Sequence, residues 1–126
     1  MEFFRIVNVK TSEDHLQKSL TLNNLDEIST EIFNLEVSSD RVSSVGGIWG
    51  EFTLSRSKIK GGIRFALLEC PNALCWTITT GFPPKPELVV IHLTINRQQK
   101  NQEFVEEVEE FLADHCAQLK EFLSIV

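Results

Sequence analysis

The residues best suited to chemistry in this sequence are three cysteines and three histidines. They are Cys70, Cys75, Cys116, His15, His92 and His115. A cysteine nucleophile needs a base within hydrogen-bonding distance, and zinc needs at least three protein ligands. The cysteines have no C-x-x-C spacing, and adjacent helical residues such as His115 and Cys116 point about 100° apart. We therefore expect no catalytic residues, no metal and no cofactor, and an activity that does not depend on the thiols.

The carboxylates and glycines do not form a recognisable site either. Glu51 and Glu69 lie in predicted strands on opposite faces, so they cannot act as a coupled acid and base. The pairs Gly46-Gly47 and Gly61-Gly62 fit neither G-x-G-x-x-G nor a P-loop, and they indicate turns. No motif of a known family is visible, so the function must be argued from the whole chain.

One basic cluster lies at a predicted hairpin tip. Its cations are Arg56, Lys58, Lys60 and Arg64. Such a tip can bind an acidic partner or a phosphate. The commoner role of lysines at strand ends is to prevent pairing between sheet edges.

Composition limits the class of protein. The chain has 126 residues with 42% hydrophobic and 24% charged side chains, which is typical of one globular domain. Its net charge is −6, and residues 100–126 carry seven acids against two lysines, which argues against binding to nucleic acid or anionic lipid. No apolar run reaches the roughly 20 residues of a membrane span, and the start lacks a secretory leader. With an odd number of cysteines, these features indicate a cytoplasmic protein.

The pattern of residues predicts a single α+β domain over residues 1–126. An N-terminal layer, 1–37, contains a strand at 2–10, a short helix to about residue 20, and a segment at 25–35 that fits a helix better than a strand. A Ser-rich loop at 38–47 leads to a sheet at 48–96, with strands at 48–58, 62–70, 75–81 and 88–96. Short connections make this sheet an antiparallel meander of four strands, or five with the N-terminal strand.

A long amphipathic helix is predicted over residues 100–125. Apolar residues recur at spacings of three and four from Phe104 to Phe122, which defines one buried stripe. Its acids lie mostly in the first turns, where they complement the helix dipole. We expect this helix to cover the main face of the sheet.

Alternation along the strands assigns two faces to the sheet. A hairpin turning at Asn72-Ala73 would place Cys70 opposite Cys75, and Leu67 opposite Ile78. The second face would then collect Ala66, Leu68, Cys70, Cys75, Thr77, Thr79, Leu88, Val90, His92 and Thr94. This face is poor in charge, so it needs a cover. The N-terminal strand and the helix at 25–35 are the preferred cover, and a second subunit is the alternative.

These features favour a small, non-catalytic protein-protein interaction or regulatory module of the cytosol, with a protein partner or a second copy of itself. The alternative is a small-molecule-binding domain or modest enzyme with a pocket between sheet and helices, walled by Trp49, Trp76 and His92. The candidate interaction or pocket residues are Leu68, Trp76, Val90 and His92.

Overall fold

The computed structural model describes residues 1–96 and 102–124 of the chain. Its strands are β1 (Glu2–Val7), β2 (Ile32–Val37), β3 (Val42–Gly47), β4 (Phe52–Ile59), β5 (Gly62–Leu67), β6 (Cys75–Thr80) and β7 (Val89–Thr94). Its helices are α1 (Glu13–Ser19), α2 (Leu25–Ile28) and α3 (Gln102–Ser124), with a 3-10 turn at Leu22–Asn24. The predicted α+β class and antiparallel sheet are confirmed.

All seven strands form one antiparallel sheet in the order β1-β7-β6-β5-β4-β3-β2. Strands β2 to β7 follow one another as a meander, and β1 closes the far side by pairing with β7, with Phe3 opposite Leu93. The prediction of four or five strands was therefore too low. The strands absent from it are β2 and β3.

Strands β2 and β3 occupy segments predicted to be helix and loop. The segment at 25–35 divides into the single-turn helix α2 and the start of β2. The helical and the strand-like spacing of its apolar residues therefore each correspond to an observed element. In β3, Ser43 is fully buried, and its hydroxyl donates to the side-chain oxygen of Asn34 at 2.7 Å. A serine can occupy a buried strand position when its hydroxyl has such a partner.

Gly47 allows β2 and β3 to approach each other. A Cβ atom at this position would lie 2.3 Å from the carbonyl oxygen of Glu31, which is backbone and cannot move aside cheaply. At Gly46 the nearest atom would be the end of the Phe33 ring, at 3.1 Å. The two glycines were predicted to form a turn, but they belong to a strand that needs close backbone contact.

We expect Gly47→Ala to lower the free energy of unfolding by about 1–3 kcal/mol, since overpacking against backbone forces a shift of the strands. Gly46→Ala is the matched control, because the Phe33 ring is 43% exposed and can rotate away. Urea denaturation of both variants measures the difference. Equal losses would mean that the backbone contact at Gly47 does not limit the fit of β2.

The β5–β6 hairpin has a register different from the predicted one. Phe65 lies opposite Trp76 and Ile63 opposite Ile78, because β5 ends at Leu67 and the chain turns through residues 70–73. The register is displaced by an even number of residues, so each of these side chains keeps its predicted face. Cys70 lies beyond the strand and packs against the core instead of facing Cys75.

The hydrophobic core lies between one face of the sheet and the helices. The predicted C-terminal helix is confirmed as α3, although its expected limits at 100 and 125 fall outside the described residues. On this helix Val108, Phe111 and Leu119 are fully buried. Within the described ranges no helix combines the length and the apolar character required to cross a membrane.

Candidate functional site

The second face of the sheet carries none of the three described helices. The apolar residues of α1, α2 and α3 join the single core on the first face, together with Leu54, Phe65 and Ile91. Strand β1 adds to the edge of the sheet and does not lie across it. The prediction that the N-terminal strand and the helix at 25–35 cover the second face was therefore wrong.

The middle of the second face is built from small side chains. In β4, β5 and β6 most of these positions hold Ser55, Ser57, Ala66, Cys75, Thr77 and Thr79, with the exposed Arg64 among them and Ile59 at the end of β4. Large apolar side chains stand at the two margins instead, in β1 and β2. The centre of the second face therefore consists mainly of short, mildly polar side chains, and larger apolar side chains lie at its two margins.

We call the first of these regions the β1 margin, formed by Phe4 and Ile6 beside His92. Phe4 is 51% and Ile6 is 43% exposed. The Phe4 ring stacks on the His92 ring with centroids 4.3 Å apart, and His92 Nε2 lies 2.9 Å from a carboxylate oxygen of Glu2. Val90 lies on this face as well, but it is only 4% exposed between its neighbours. His92 is thus held by an aromatic ring and a carboxylate.

We call the second region the β2 margin, formed by Phe33 and Leu35, which are 43% and 51% exposed. Leu68 is 58% exposed on the same face, but it pairs with Thr53 of β4, so β3 and β4 lie between it and β2. The carboxylate of Glu69 accepts hydrogen bonds from the backbone N–H and the hydroxyl of Thr53, and these bonds lower the pKa of Glu69. These exposed apolar groups therefore lie beside a carboxylate held in place and kept charged.

Trp76 and His115 lie in the core, where a pocket between sheet and helix had been considered. Trp76 is 1% exposed and packs edge-on against Phe111, with ring centroids 5.1 Å apart. Its indole N–H donates to His115 Nε2 at 3.1 Å, and His115 Nδ1–H donates to the carbonyl of Ile28 at 2.5 Å. Both imidazole nitrogens are used, and Trp76 does not reach the surface.

Trp49 borders a small cavity, about 10 Å³ in volume, which is room for roughly one water molecule. Its other walls include Ile32, Val45 and Leu67. The indole N–H of Trp49 is buried and has no hydrogen-bond partner in the described part of the chain. A cavity of this size and lining cannot hold a metabolite.

Cys70, Cys75 and Cys116 are free, partly buried cysteines. Cys75 Sγ lies 3.2 Å from the hydroxyl of Thr94, and burial raises the pKa of the Cys116 thiol. A raised thiol pKa lowers the fraction of reactive thiolate at neutral pH. Among residues 1–96 and 102–124, no three His, Cys, Asp or Glu side chains are grouped so that they could hold a metal ion.

The basic cluster divides between core and surface. Arg56 is 9% exposed and donates to the carbonyls of Leu20 at 2.7 Å and Gln17 at 2.5 Å, so it holds the end of α1 against the sheet. Burial lowers its pKa. Lys58, Lys60 and Arg64 are exposed. One of the four predicted cations is therefore a structural anchor.

Three acids meet where α2 leads into β2. The carboxylate of Asp114 on α3 accepts hydrogen bonds from the backbone N–H and hydroxyl of Thr30, at 2.9 Å and 2.7 Å. Burial raises the pKa of Glu31, and the nearby charges of Asp114 and Glu110 add to the increase. This contact fixes α3 to the start of β2, and no sequence motif had indicated it.

The architecture defines the class of this protein as α+β with a seven-stranded antiparallel sheet and helices on one face. Among the solved structures that share it are two proteins from Bacillus. The protein XoxI from Bacillus cereus aligns with a TM-score of 0.66 at 11% identity, covering 98% of this chain and 96% of its own. An uncharacterised protein from Bacillus thuringiensis aligns with a TM-score of 0.65 at 12% identity, covering 98% of both chains.

Sequence comparison adds nothing to this likeness. No family model matches the chain, and no curated protein matches it significantly. At 11–12% identity, the two structures establish the shared fold and no shared function.

Proposed function

We propose that this protein is a non-catalytic interaction module of the cytoplasm that binds another protein through the β2 margin. The observation that supports this is the uncovered second face, where Phe33, Leu35 and Leu68 are each at least 43% exposed. Large apolar side chains grouped on an open surface commonly mark a binding site. The short side chains at the centre of the second face would leave room for a partner beside these apolar groups.

Charge around the β2 margin indicates what the partner presents. A surface depression of about 420 Å³ runs beside Leu35 and is bordered by Glu51, Thr53 and Glu69. A matching surface would place apolar side chains against Leu35 and Phe33, and lysine or arginine side chains against the two carboxylates. Such rim charges contribute mainly to the association rate and to specificity.

The alternative of a small-molecule site between sheet and helices has less support. The expected wall residues Trp49 and Trp76 pack against Phe111, with ring centroids 5.6 Å and 5.1 Å away. The cavity beside Trp49 is too small for a metabolite. His92, the third expected wall residue, lies on the open second face beside Phe4.

A photo-reactive residue placed at Leu35 should cross-link one discrete protein in cells, whereas the same residue at Ala113 should not. Ala113 is the matched control because it is exposed on α3, on the other side of the molecule. We further expect Leu35→Glu to weaken binding of the identified protein at least about tenfold, the loss typical of an interface hot spot. Ala113→Glu should leave the affinity unchanged.

Both glutamate variants should keep the melting temperature of the parent, since each site is exposed. The proposal fails if Leu35→Glu and Ala113→Glu bind the cross-linked protein equally well. It also fails if no adduct forms from Phe33, Leu35 or Leu68.

A further inference from the structure

Strand β1 ends the sheet on one side, and its outer backbone edge is open. Met1 and Ile95 exchange two backbone hydrogen bonds, each 3.1 Å long. Bonded and non-bonded pairs alternate along an antiparallel ladder, so the odd-numbered residues of β1 bond to β7. The N–H and C=O groups of Glu2, Phe4 and Ile6 consequently point away from the sheet.

These outward backbone groups have one hydrogen bond among the described residues. It runs from the exposed guanidinium of Arg5 to the carbonyl of Phe4, at 2.8 Å. The side chains of Phe4 and Ile6 are exposed on the second face at the same edge. A strand added here would gain backbone hydrogen bonds and apolar contacts together, which a helix could not do.

The opposite edge of the sheet is protected against such pairing. Strand β2 has an irregular register between Asn34 and Glu36, and the N–H of Asn34 donates to the carboxylate of Asp26 at 2.8 Å. The N–H of Ile32 donates to the hydroxyl of Ser29. Bulges and capping side chains of this kind are the usual means of closing a sheet edge. Strand β1 has only the exposed Arg5 contact.

We propose that β1 pairs antiparallel with β1 of a second copy of this chain, about a two-fold axis at Phe4. In this register Phe4 lies opposite Phe4 of the second copy, and Glu2 lies opposite Ile6. All three outward residues of each strand are paired, and shifting either strand by two residues leaves some of them unpaired. The result is one continuous sheet of fourteen strands from two copies of the seven-stranded sheet.

The side chains also match in this register. On the second face the stacked rings of His92 and Phe4 continue into the same two rings of the second copy. On the first face Arg5 lies opposite Phe3 of the second copy, where its guanidinium can contact the ring after releasing the Phe4 carbonyl. No two like charges are directly opposite each other, which is the requirement for a self-pairing strand.

The partner is a second copy, and not a basic peptide, because the strand is complementary to itself. Each copy carries a net charge of −6, so the two copies repel each other at a distance. Added salt screens this repulsion, and the dimer should therefore tighten between low and moderate ionic strength. A basic peptide on the same edge would be weakened by salt.

Sedimentation of the purified chain over a range of concentrations tests the proposal. We expect a dimer whose dissociation constant rises at least about tenfold in Phe4→Lys, since an apolar contact is lost and two lysines face each other. Phe4→Glu should behave in the same way. An equimolar mixture of the two variants should recover the dimer, because residue 4 of one copy faces residue 4 of the other.

Phe33→Lys is the matched control, because it makes the same change at a similarly exposed phenylalanine on the β2 margin. It should leave the dimer intact. A monomer at every concentration overturns the proposal, as does a dimer that Phe4→Lys leaves unchanged. A dimer that only Phe33→Lys dissociates overturns it as well. The β1 edge and the β2 margin share no residue, so this pairing and the proposed protein binding can fail separately.

Discussion

Replacing Phe111 with alanine should lower the free energy of unfolding by about 3–5 kcal/mol. Phe111 is fully buried on α3, and its ring contacts Trp49, Trp76 and His115 with centroids 5.6 Å, 5.1 Å and 5.3 Å away. Three rings fixed around one position cannot collapse easily into the space that the substitution leaves. The loss is comparable with the whole stability of a weak domain.

Chemical denaturation of Phe111→Ala and Phe122→Ala measures this effect. Phe122 is the matched control, because it lies on the same helix but only partly buried at the rim of the core. We expect its replacement to cost clearly less. If Phe111→Ala cost less than Phe122→Ala, the ring cluster around Trp76 would not be the centre of the core.

Acidification from pH 6.5 to pH 4 should lower the stability by about 3 kcal/mol through His115 alone. Burial lowers the pKa of His115 to about 4, against an ordinary value of 6.5, while its bond to the Ile28 carbonyl partly opposes that change. Between these two pH values the unfolded chain binds a proton that the folded chain does not. Stability is therefore complete above pH 6.5, falls towards pH 4, and falls no further from this group below pH 4.

Unfolding free energies measured in steps from pH 7 to pH 4 test the assignment to His115. His92→Gln should keep the decline, since His92 lies on the open second face. His115→Gln should be less stable at pH 7 but should show a much flatter dependence on pH. A decline of the same size in His115→Gln would assign the acid sensitivity to carboxylates instead.

The parts of the fold that the sequence predicts well are those in which one strong pattern acts over many residues. Helix α3 has an apolar stripe, acids in its early turns and no helix-breaking residue, so its pattern determines its structure. The faces of β5 and β6 were also predicted correctly, because a register displaced by two or four residues does not exchange inside for outside. The register itself depended on where the turn began, which alternation cannot show.

The missed strands depend on contacts that are distant in sequence or specific to backbone geometry. Ser43 is stable inside β3 because Asn34 accepts its hydroxyl hydrogen, and Gly47 is needed because Glu31 comes so close. Arg56 resembles a surface cation until the carbonyls of Gln17 and Leu20 are placed beside it. In each case the residue type alone favours a loop or an exposed position, whereas contacts with residues distant in the sequence place it in a strand or in the core.

The candidate site was predicted only in part. Alternation correctly indicated a second face poor in charge, and Val90, His92 and Thr77 do lie on it. Most of the large exposed groups are in β1 and β2, whose places in the sheet cannot be read from the sequence. Leu68 was the one predicted candidate that is an exposed apolar residue of this face, and Phe4 and Phe33 were not identified.

The pairing of β1 with β7 has a consequence for the order of folding. Strands β2 to β7 each meet their next neighbour in the chain, so they can form by successive hairpins with short loops to close. The bond between Met1 and Ile95 joins residues 94 positions apart, and closing such a loop costs more chain entropy. We infer that β1 docks late, after β7 is in place. Its edge then becomes available only on a chain whose folding is nearly complete.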